Sequence, residues 1–346
     1  MKQYKSIDLA KFICAILIII LHTAPFADYS RVLTVGFRNI VTVIAVPFFF
    51  CASGFLAFTK ADALQGNEKK TYIKRYLKRL IVMYLIWSAV YFVFVVVKWT
   101  RAEFTIWTVL EYVKDFFFEG SYSTIWYLPA LFMATLLVYL LHKKLSYKTI
   151  FFIACAVYLF TLGGSSYYGL ATKVGFIKQI YDVYYSFFDT IKNGVCFGMI
   201  YVCLGAMASE REDKLIQKSW KKSILPVLAF GLAFAAEELL IGILNWNLRG
   251  VDTTAFLVPL TWVLFVFVLR LDLPLKDETC TGMRKYSILM FLCQRIPLSI
   301  IDLFLPTTIL ATNSMLYFIT VLIVTLFISF AILQASKKWK WLKYAY

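Results

Sequence analysis

Ser6 to Phe26, SIDLAKFICAILIIILHTAPF, is an apolar run long enough to cross a bilayer, yet it carries Asp8, Lys11 and His22. On a helix turning 100° per residue, Lys11 and His22 lie within about 20° of each other, and Asp8 and His22 within about 40°. All three therefore share one face. An ionisable group at bilayer depth costs several kcal/mol unless it faces a protein interior or a wet cavity, so this face is a candidate functional site. The alternative is an interfacial Asp8–Lys11 ion pair, with His22 capping the outer end of the helix.

The rest of the chain has the same character. It is 346 residues long and 61% hydrophobic, with 16% charged residues and a mean hydropathy of +0.74, which excludes a soluble globular domain. Apolar runs fall at 9–26, 36–58, 80–98, 122–141, 149–163, 194–208, 223–243, 254–270, 285–301 and 313–335. The expectation is an all-α, polytopic integral membrane bundle of about ten transmembrane helices. With the N-terminus cytoplasmic and the sides alternating, 25 of the 36 basic residues, Lys2 included, fall inside, nine outside, and Lys11 and Arg295 within spans. That asymmetry obeys the positive-inside rule and puts both termini in the cytoplasm of a cell-membrane protein. The formal charge of +16 is thus a matter of topology, and no nucleic-acid partner is expected.

No cleavable signal peptide is expected, because no small-residue cleavage site follows the first run. The chain is read as a single domain over residues 1–346, without an appended soluble domain. The seven cysteines contain no CxxC pair and lie almost entirely in apolar runs, so they read as core residues; neither a disulfide framework nor a metal site is expected. Two connecting segments are more than turns. Glu103 to Phe118 is aromatic and amphipathic, and Gly164 to Lys192 is rich in Tyr and Phe; both suit the outer interface or the wall of a vestibule.

The topology sets the depth of the remaining polar residues. His22 lies about 16 Å along the first helix from Lys11, in the outer half. Trp126 opens the fourth run, Lys192 and Asn193 open the sixth, and Glu237 and Glu238 lie late in the seventh. Arg249 and Asp252 follow in an outer loop, and Gln294 and Arg295 lie in the outer half of the ninth run. If these residues face one another they form a polar chamber opening outward, with His22 at its floor. A single His with a nearby carboxylate and cations suits general-base activation of a hydroxyl. Glu237 and Glu238 differ by 100°, so only one of them is expected to point inward. On the inner side, Lys69 to Arg79 forms a basic helix whose Lys74, Arg75, Lys78 and Arg79 suit the phosphates of a nucleotide-bearing donor. Topology signals and anionic-lipid contacts produce the same pattern.

In this arrangement the sequence resembles the membrane acyltransferase family 3, and within it the membrane domain of the vancomycin-resistance serine racemases. The family's Asp, basic residue and outer His in the first helix look like Asp8, Lys11 and His22. Its Pro-Phe-Phe and Ser-Gly-Phe element is matched by Val46 to Leu56, VPFFFCASGFL, with Pro47, Ser53 and Gly54. The basic opening of the third helix is matched by Arg75 and Lys78, and the Trp-Tyr/Phe-x-Pro element by Trp126, Tyr127 and Pro129. An Arg-Asn-Gly segment, a later Glu and an Asp before Leu-x-Pro look like Lys192, Asn193, Gly194, Glu237, Asp252 and Pro259. Lys11 and Lys192 stand where Arg is usual, and Gln294 stands where the family has a His after its Tyr-Ser element, here Tyr286 and Ser287.

The resemblance implies an O-acyltransferase, with His22 as catalytic base and Asp8, Lys11 and Glu237 beside it. Trp126, Tyr127, Lys192, Asn193, Asp252, Gln294 and Arg295 would bind the acceptor, and Ser53, Arg75, Lys78 and Arg79 would hold acyl-CoA. The acyl group, an acetyl group first of all, would pass from cytoplasmic acyl-CoA to a hydroxyl on an envelope glycan or a smaller acceptor. The partners are then the lipid bilayer and that acceptor. A transporter or binding module for a small amino acid such as serine is the alternative, and an envelope scaffold is a third reading.

Overall fold

The computed structural model describes residues 3–102 and 104–346, and Lys2 and Glu103 lie outside the described residues. Among those described the fold is all-helical, without a strand. The main helices are α1 (Lys5–Thr23), α2 (Arg31–Asp62), α3 (Gly66–Arg101), α4 (Ile106–Phe118), α5 (Tyr127–His142) and α6 (Tyr147–Gly164). They continue with α7 (Gly175–Phe187), α8 (Gly194–Glu210), α9 (Lys221–Ile243), α10 (Leu257–Arg270), α11 (Asp277–Phe304) and α12 (Ser314–Lys338). Each of the ten apolar runs falls on a helix. Seven of them (α1, α2, α3, α6, α9, α11 and α12) are long and apolar enough to cross a membrane; α5, α8 and α10 are shorter. The 14 residues of α10 span only about 21 Å, less than a hydrocarbon core of about 30 Å. The chain is a multi-pass membrane protein.

The chain divides into two compact units. Unit 1 comprises Met1–Val46, Arg79–Leu128 and Leu273–Tyr346; unit 2 comprises Pro47–Lys78 and Pro129–Asp272.

In unit 1, α1 packs against α11 and α12. The buried positions Ile7, Asp8, Lys11, Cys14, Ala15, Ile18 and Ile19 recur at three- and four-residue spacing and form one stripe. The helix stops where Ala24 takes a left-handed backbone conformation (φ 44°) and Pro25 follows, unable to continue it. Ser314 fastens the segment beyond: its hydroxyl donates to the Pro25 carbonyl at 3.0 Å and its N–H to Asp28 Oδ2 at 2.6 Å. The expected aromatic segment becomes α4, opened by a capping box in which Thr105 and Thr108 exchange side-chain to backbone hydrogen bonds. Ile106, Trp107 and Phe117 are exposed on it, as suits a helix lying in an interface.

In unit 2, residues 47–62 of α2 pack against α8 at a separation that only glycine permits. A Cβ on Gly54 would stand 2.4 Å from the Val202 carbonyl oxygen, and one on Gly205 would stand 2.1 Å from that of Cys51. The two backbones touch, as in small-residue packing between membrane helices. The Ser-Gly-Phe element of the sequence is therefore, at Gly54, a packing device. Helices α6 and α10 pack on α8, and α9 on α10. Helix α7 is amphipathic: Phe176, Ile180, Val183 and Phe187 form an exposed stripe, while Tyr181 on another face is buried and donates to the Phe160 carbonyl at 2.8 Å.

Candidate functional site

The candidate residues fall into both units. Unit 1 holds Asp8, Lys11, His22, Arg79, Trp126, Gln294 and Arg295, together with Tyr127. Unit 2 holds Ser53, Arg75, Lys78, Lys192, Asn193, Glu237 and Asp252.

The shared face of α1 is the packed face. Asp8 and Lys11 are buried, at 4% and 6% exposure, and His22, one helical step beyond Ile18 on the same stripe, is half-buried. The acid's cationic partner is one that spacing along the first run does not reveal: Arg284 of α11, whose Nε lies 3.3 Å from Asp8 Oδ1. Two cations and one carboxylate thus lie along a helix–helix seam. This accounts for how α1 carries charge through an apolar run, because Asp8 and Lys11 face protein instead of lipid.

Farther along unit 1, Gln294 is fully buried. Its Nε2 donates to the Phe291 carbonyl at 3.1 Å, while Oε1 has no hydrogen-bond partner among the described residues. An acceptor is thus left at the position where the family pattern has His. Tyr127 packs edge-on against Phe291 with ring centroids 5.1 Å apart, one turn from Gln294, and Arg295 Nη2 donates to Ser123 Oγ at 2.8 Å. The region around the start of α5 and the middle of α11 is therefore brought together. Trp126, half-buried, lies against Gly120, where a Cβ would meet its backbone. Nearby, Tyr91 and Tyr122 stack with centroids 4.9 Å apart; Tyr91 donates to the Leu292 carbonyl, and Tyr122 exchanges a 2.7 Å hydrogen bond with Ser299.

In unit 2, both carboxylate oxygens of Glu237 are engaged. Oε1 accepts from the Ala255 N–H at 2.6 Å and from the Tyr167 hydroxyl, and Oε2 accepts from the Phe256 N–H at 2.8 Å. Those N–H groups lie just before α10, so the carboxylate satisfies the orphan donors of its N-terminus and tethers α9 to it. Burial, and after it the Glu237 carboxylate, push the Tyr167 phenol above its ordinary pKa, so it stays a donor at neutral pH.

The expectation that only one of the adjacent glutamates points inward is corrected. Glu237 and Glu238 are both buried, at 7% and 6% exposure. Phe234, Glu237, Glu238 and Ile241 are the i, i+3, i+4 and i+7 positions of one buried stripe, and residues 100° apart fit side by side on a stripe of that width. Glu238 Oε1 has no hydrogen-bond partner among the described residues.

Lys192 Nζ pairs with Asp252 Oδ2 at 2.6 Å, joining the start of α8 to the loop before α10. Asn193 caps α8: its Oδ1 accepts from the N–H groups of Val195 and Cys196 at 2.9 Å each, and its Nδ2 donates to Tyr184 at 3.3 Å. Beside them is a cavity of about 460 Å³ bordered by Ser165, Tyr168, Tyr185, Asp189, Lys192 and Arg249. Arg249 lies over the Tyr185 ring, 3.6 Å from its centroid, and 5.2 Å from that of Tyr168. Tyr168, Tyr185 and the position of Arg249 in a cavity wall are missed by spacing arguments, because three segments far apart in the chain, one of them α7, bring them together. The only sequence signal is the density of tyrosine in Gly164 to Lys192.

The basic helix is the first part of α3, as expected. Arg75, Lys78 and Arg79 are exposed, and Arg79 Nη2 donates to the Tyr346 carbonyl at 2.7 Å. Ser53 is half-buried beside the Gly54 contact.

No solved structure matches the chain. Among curated proteins, two amino-acid racemases of Enterococcus faecalis are similar to it. One is 28% identical over 83% of this chain and 38% of the relative, the other 25% identical over 96% and 46%. A serine/alanine racemase of Enterococcus gallinarum is 26% identical over 61% of this chain and 30% of its own length. The chain spans less than half the length of these relatives. The acyltransferase domain of the acyltransferase 3 family matches residues 4–334, nearly the whole chain, and carries the conclusion that this protein belongs to the acyltransferase 3 family.

Proposed function

We propose that the protein is a membrane O-acyltransferase that moves an acyl group, acetyl in the first instance, from cytoplasmic acyl-CoA to a hydroxyl of an extracytoplasmic glycan or other cell-envelope acceptor. The observation that carries this reading is the buried ionic seam of α1: Asp8 against Arg284, Lys11 three residues on, and His22 farther along the same stripe. Charges in an apolar membrane helix are kept for chemistry or transport, and family membership favours chemistry. His22 takes the proton of the acceptor hydroxyl as its oxygen attacks the thioester carbonyl. The C–O bond forms, the C–S bond breaks, and the CoA thiolate leaves. Gln294 Oε1, a buried acceptor without a partner among the described residues, suits an orienting role. It cannot titrate, so it takes no part in proton transfer.

Arg75 and Lys78 fit the phosphates of the donor, being exposed cations one turn apart on α3. Arg79 fits less completely, since one of its donors is held by the Tyr346 carbonyl. Trp126, Tyr127 and Arg295 of unit 1 and Lys192, Asn193 and Asp252 of unit 2 are assigned to binding the acceptor, and Glu237 anchors α9 to the start of α10. Transfer from labelled acetyl-CoA in proteoliposomes tests the reading, with release of CoA measured in parallel. Transfer by the wild type and its loss in a folded His22→Ala variant are expected. Absence of acetyl-CoA binding, together with uptake of labelled serine, would contradict it.

A second reading, a membrane module that binds or carries a small amino acid, is favoured by one observation. The Lys192–Asp252 pair places both charge signs beside the unit 2 cavity, and the curated relatives are named as amino-acid racemases.

A further inference from the structure

The guanidinium of Arg249 is held without being neutralised. Tyr185 and Tyr168 offer it their ring faces, and it makes no ion pair or hydrogen bond with an acceptor among the described residues. A ring face attracts the cation but leaves the N–H edge of the fork unused. The other cation of the cavity wall, Lys192, is already paired with Asp252. Burial pushes the Tyr185 phenol up to about 12 against the lowering influence of Arg249, so the clamp ring stays neutral over the physiological range. The cavity itself, at about 460 Å³, is within the range of small-molecule sites.

We propose that this cavity is a carboxylate-binding site, in which the N–H edge of Arg249, held over the Tyr185 ring, takes the carboxylate of a small ligand in a two-pronged hydrogen bond. Planar fork and planar carboxylate match in geometry, which an ammonium does not reproduce. The cavity wall also holds acceptors, the Ser165 hydroxyl and the Asp189 carboxylate, and a ligand carrying an ammonium or hydroxyl beside its carboxylate meets them. The ligand class is thus a small hydroxy or amino carboxylate. Three sources present this chemistry: a free amino acid, the end of a short peptide, and an acidic sugar. This site deepens the second reading above by naming the group that recognises the ligand, and it is independent of the transfer reading, because it holds whether the carboxylate belongs to the acyl acceptor or to a separate ligand.

Calorimetric titration of the purified full-length chain in nanodiscs tests it without any acyl donor. The probes are alanine, alanyl-alanine and glucuronate, each against its neutral amide. At least one carboxylate is expected to bind, with its amide weaker by about tenfold or more, and the tightest probe identifies the source. Arg249→Lys keeps the charge but not the fork, and is expected to weaken binding by about tenfold; Arg249→Gln should abolish it. Tyr185→Phe keeps the ring face and should change affinity by no more than about twofold. Failure of all three carboxylates to bind, equal binding of acid and amide, or wild-type affinity in Arg249→Gln would each overturn the proposal. The comparison of acid with amide uses only wild-type protein, so it decides even if a variant misfolds. Loss of acetyl transfer in His22→Ala with carboxylate binding intact would leave this site standing on its own.

Discussion

The ionisable residues of the two units are stabilised in opposite ways. In unit 1 charge meets charge between two long helices, Asp8 of α1 against Arg284 of α11, and the partners lie on faces that apolar side chains otherwise fill. In unit 2, apart from the one-third-exposed Lys192–Asp252 pair, charge meets dipoles and rings: Glu237 is held by two backbone N–H groups and a tyrosine, and Arg249 by two aromatic faces. The first arrangement depends on the spacing of one helix against another. The second depends on where loops end. Removing a partner should therefore act globally in unit 1 and locally in unit 2.

The largest effect is expected from Asp8→Ala. It leaves Lys11 and Arg284 facing each other without a carboxylate. Breaking a buried pair costs about 3–5 kcal/mol, and the partial exposure of Arg284 brings the expected loss to roughly 2–3 kcal/mol. Thermal denaturation in detergent measures it, and Arg284→Met in the Asp8→Asn background should recover part of the loss. Full stability in Asp8→Ala would break the contrast between the units.

Next in size is Glu237→Gln in unit 2. It removes the charge from a carboxylate that accepts three hydrogen bonds and turns an amide group toward an N–H or a hydroxyl, for a loss of roughly 1.5–3 kcal/mol. Hydrogen exchange should show the loss concentrated in the Ala255 and Phe256 amides and the first turn of α10. Uniform loss over unit 2 would contradict the local character assigned to this anchor. Gly205→Ala is the packing counterpart. It drives a Cβ onto the Cys51 carbonyl and should cost roughly 1–3 kcal/mol in the same thermal assay.

The smallest effect is expected from Lys192→Gln. The Lys192–Asp252 pair is about one-third exposed on both sides, and such pairs contribute roughly 0.2–1 kcal/mol. Its stability change should shrink further in high salt, whereas that of Asp8→Ala should not.

What could be read from the sequence follows the same division. The common face of Asp8, Lys11 and His22 was legible because a helix converts spacing directly into angle, and burial of Asp8 and Lys11 agrees with it. The ten runs were legible as helices for the same reason, although α5, α8 and α10 fall short of a full crossing length. Arg284 was not legible as the partner of Asp8, since the register between two helices more than 270 residues apart is set by packing and not by either run alone. The two glutamates illustrate the limit of an angular argument: 100° separates opposite roles on a narrow stripe but not on the broad one that α9 buries. Asn193 and Glu237 could be singled out by resemblance, yet their cap and anchor bonds depend on loop ends that no periodicity describes. The Arg249 clamp is the extreme case, with its residues drawn from 165–168, 185–192 and 248–249.

The central claim is that the α1 seam does chemistry. Its most direct measurement is single-turnover acetyl transfer by His22→Ala in proteoliposomes, with folding verified by the thermal transition. A loss of about 10²-fold or more at unchanged stability is expected for removal of a general base. Transfer at the wild-type rate by that variant would contradict it.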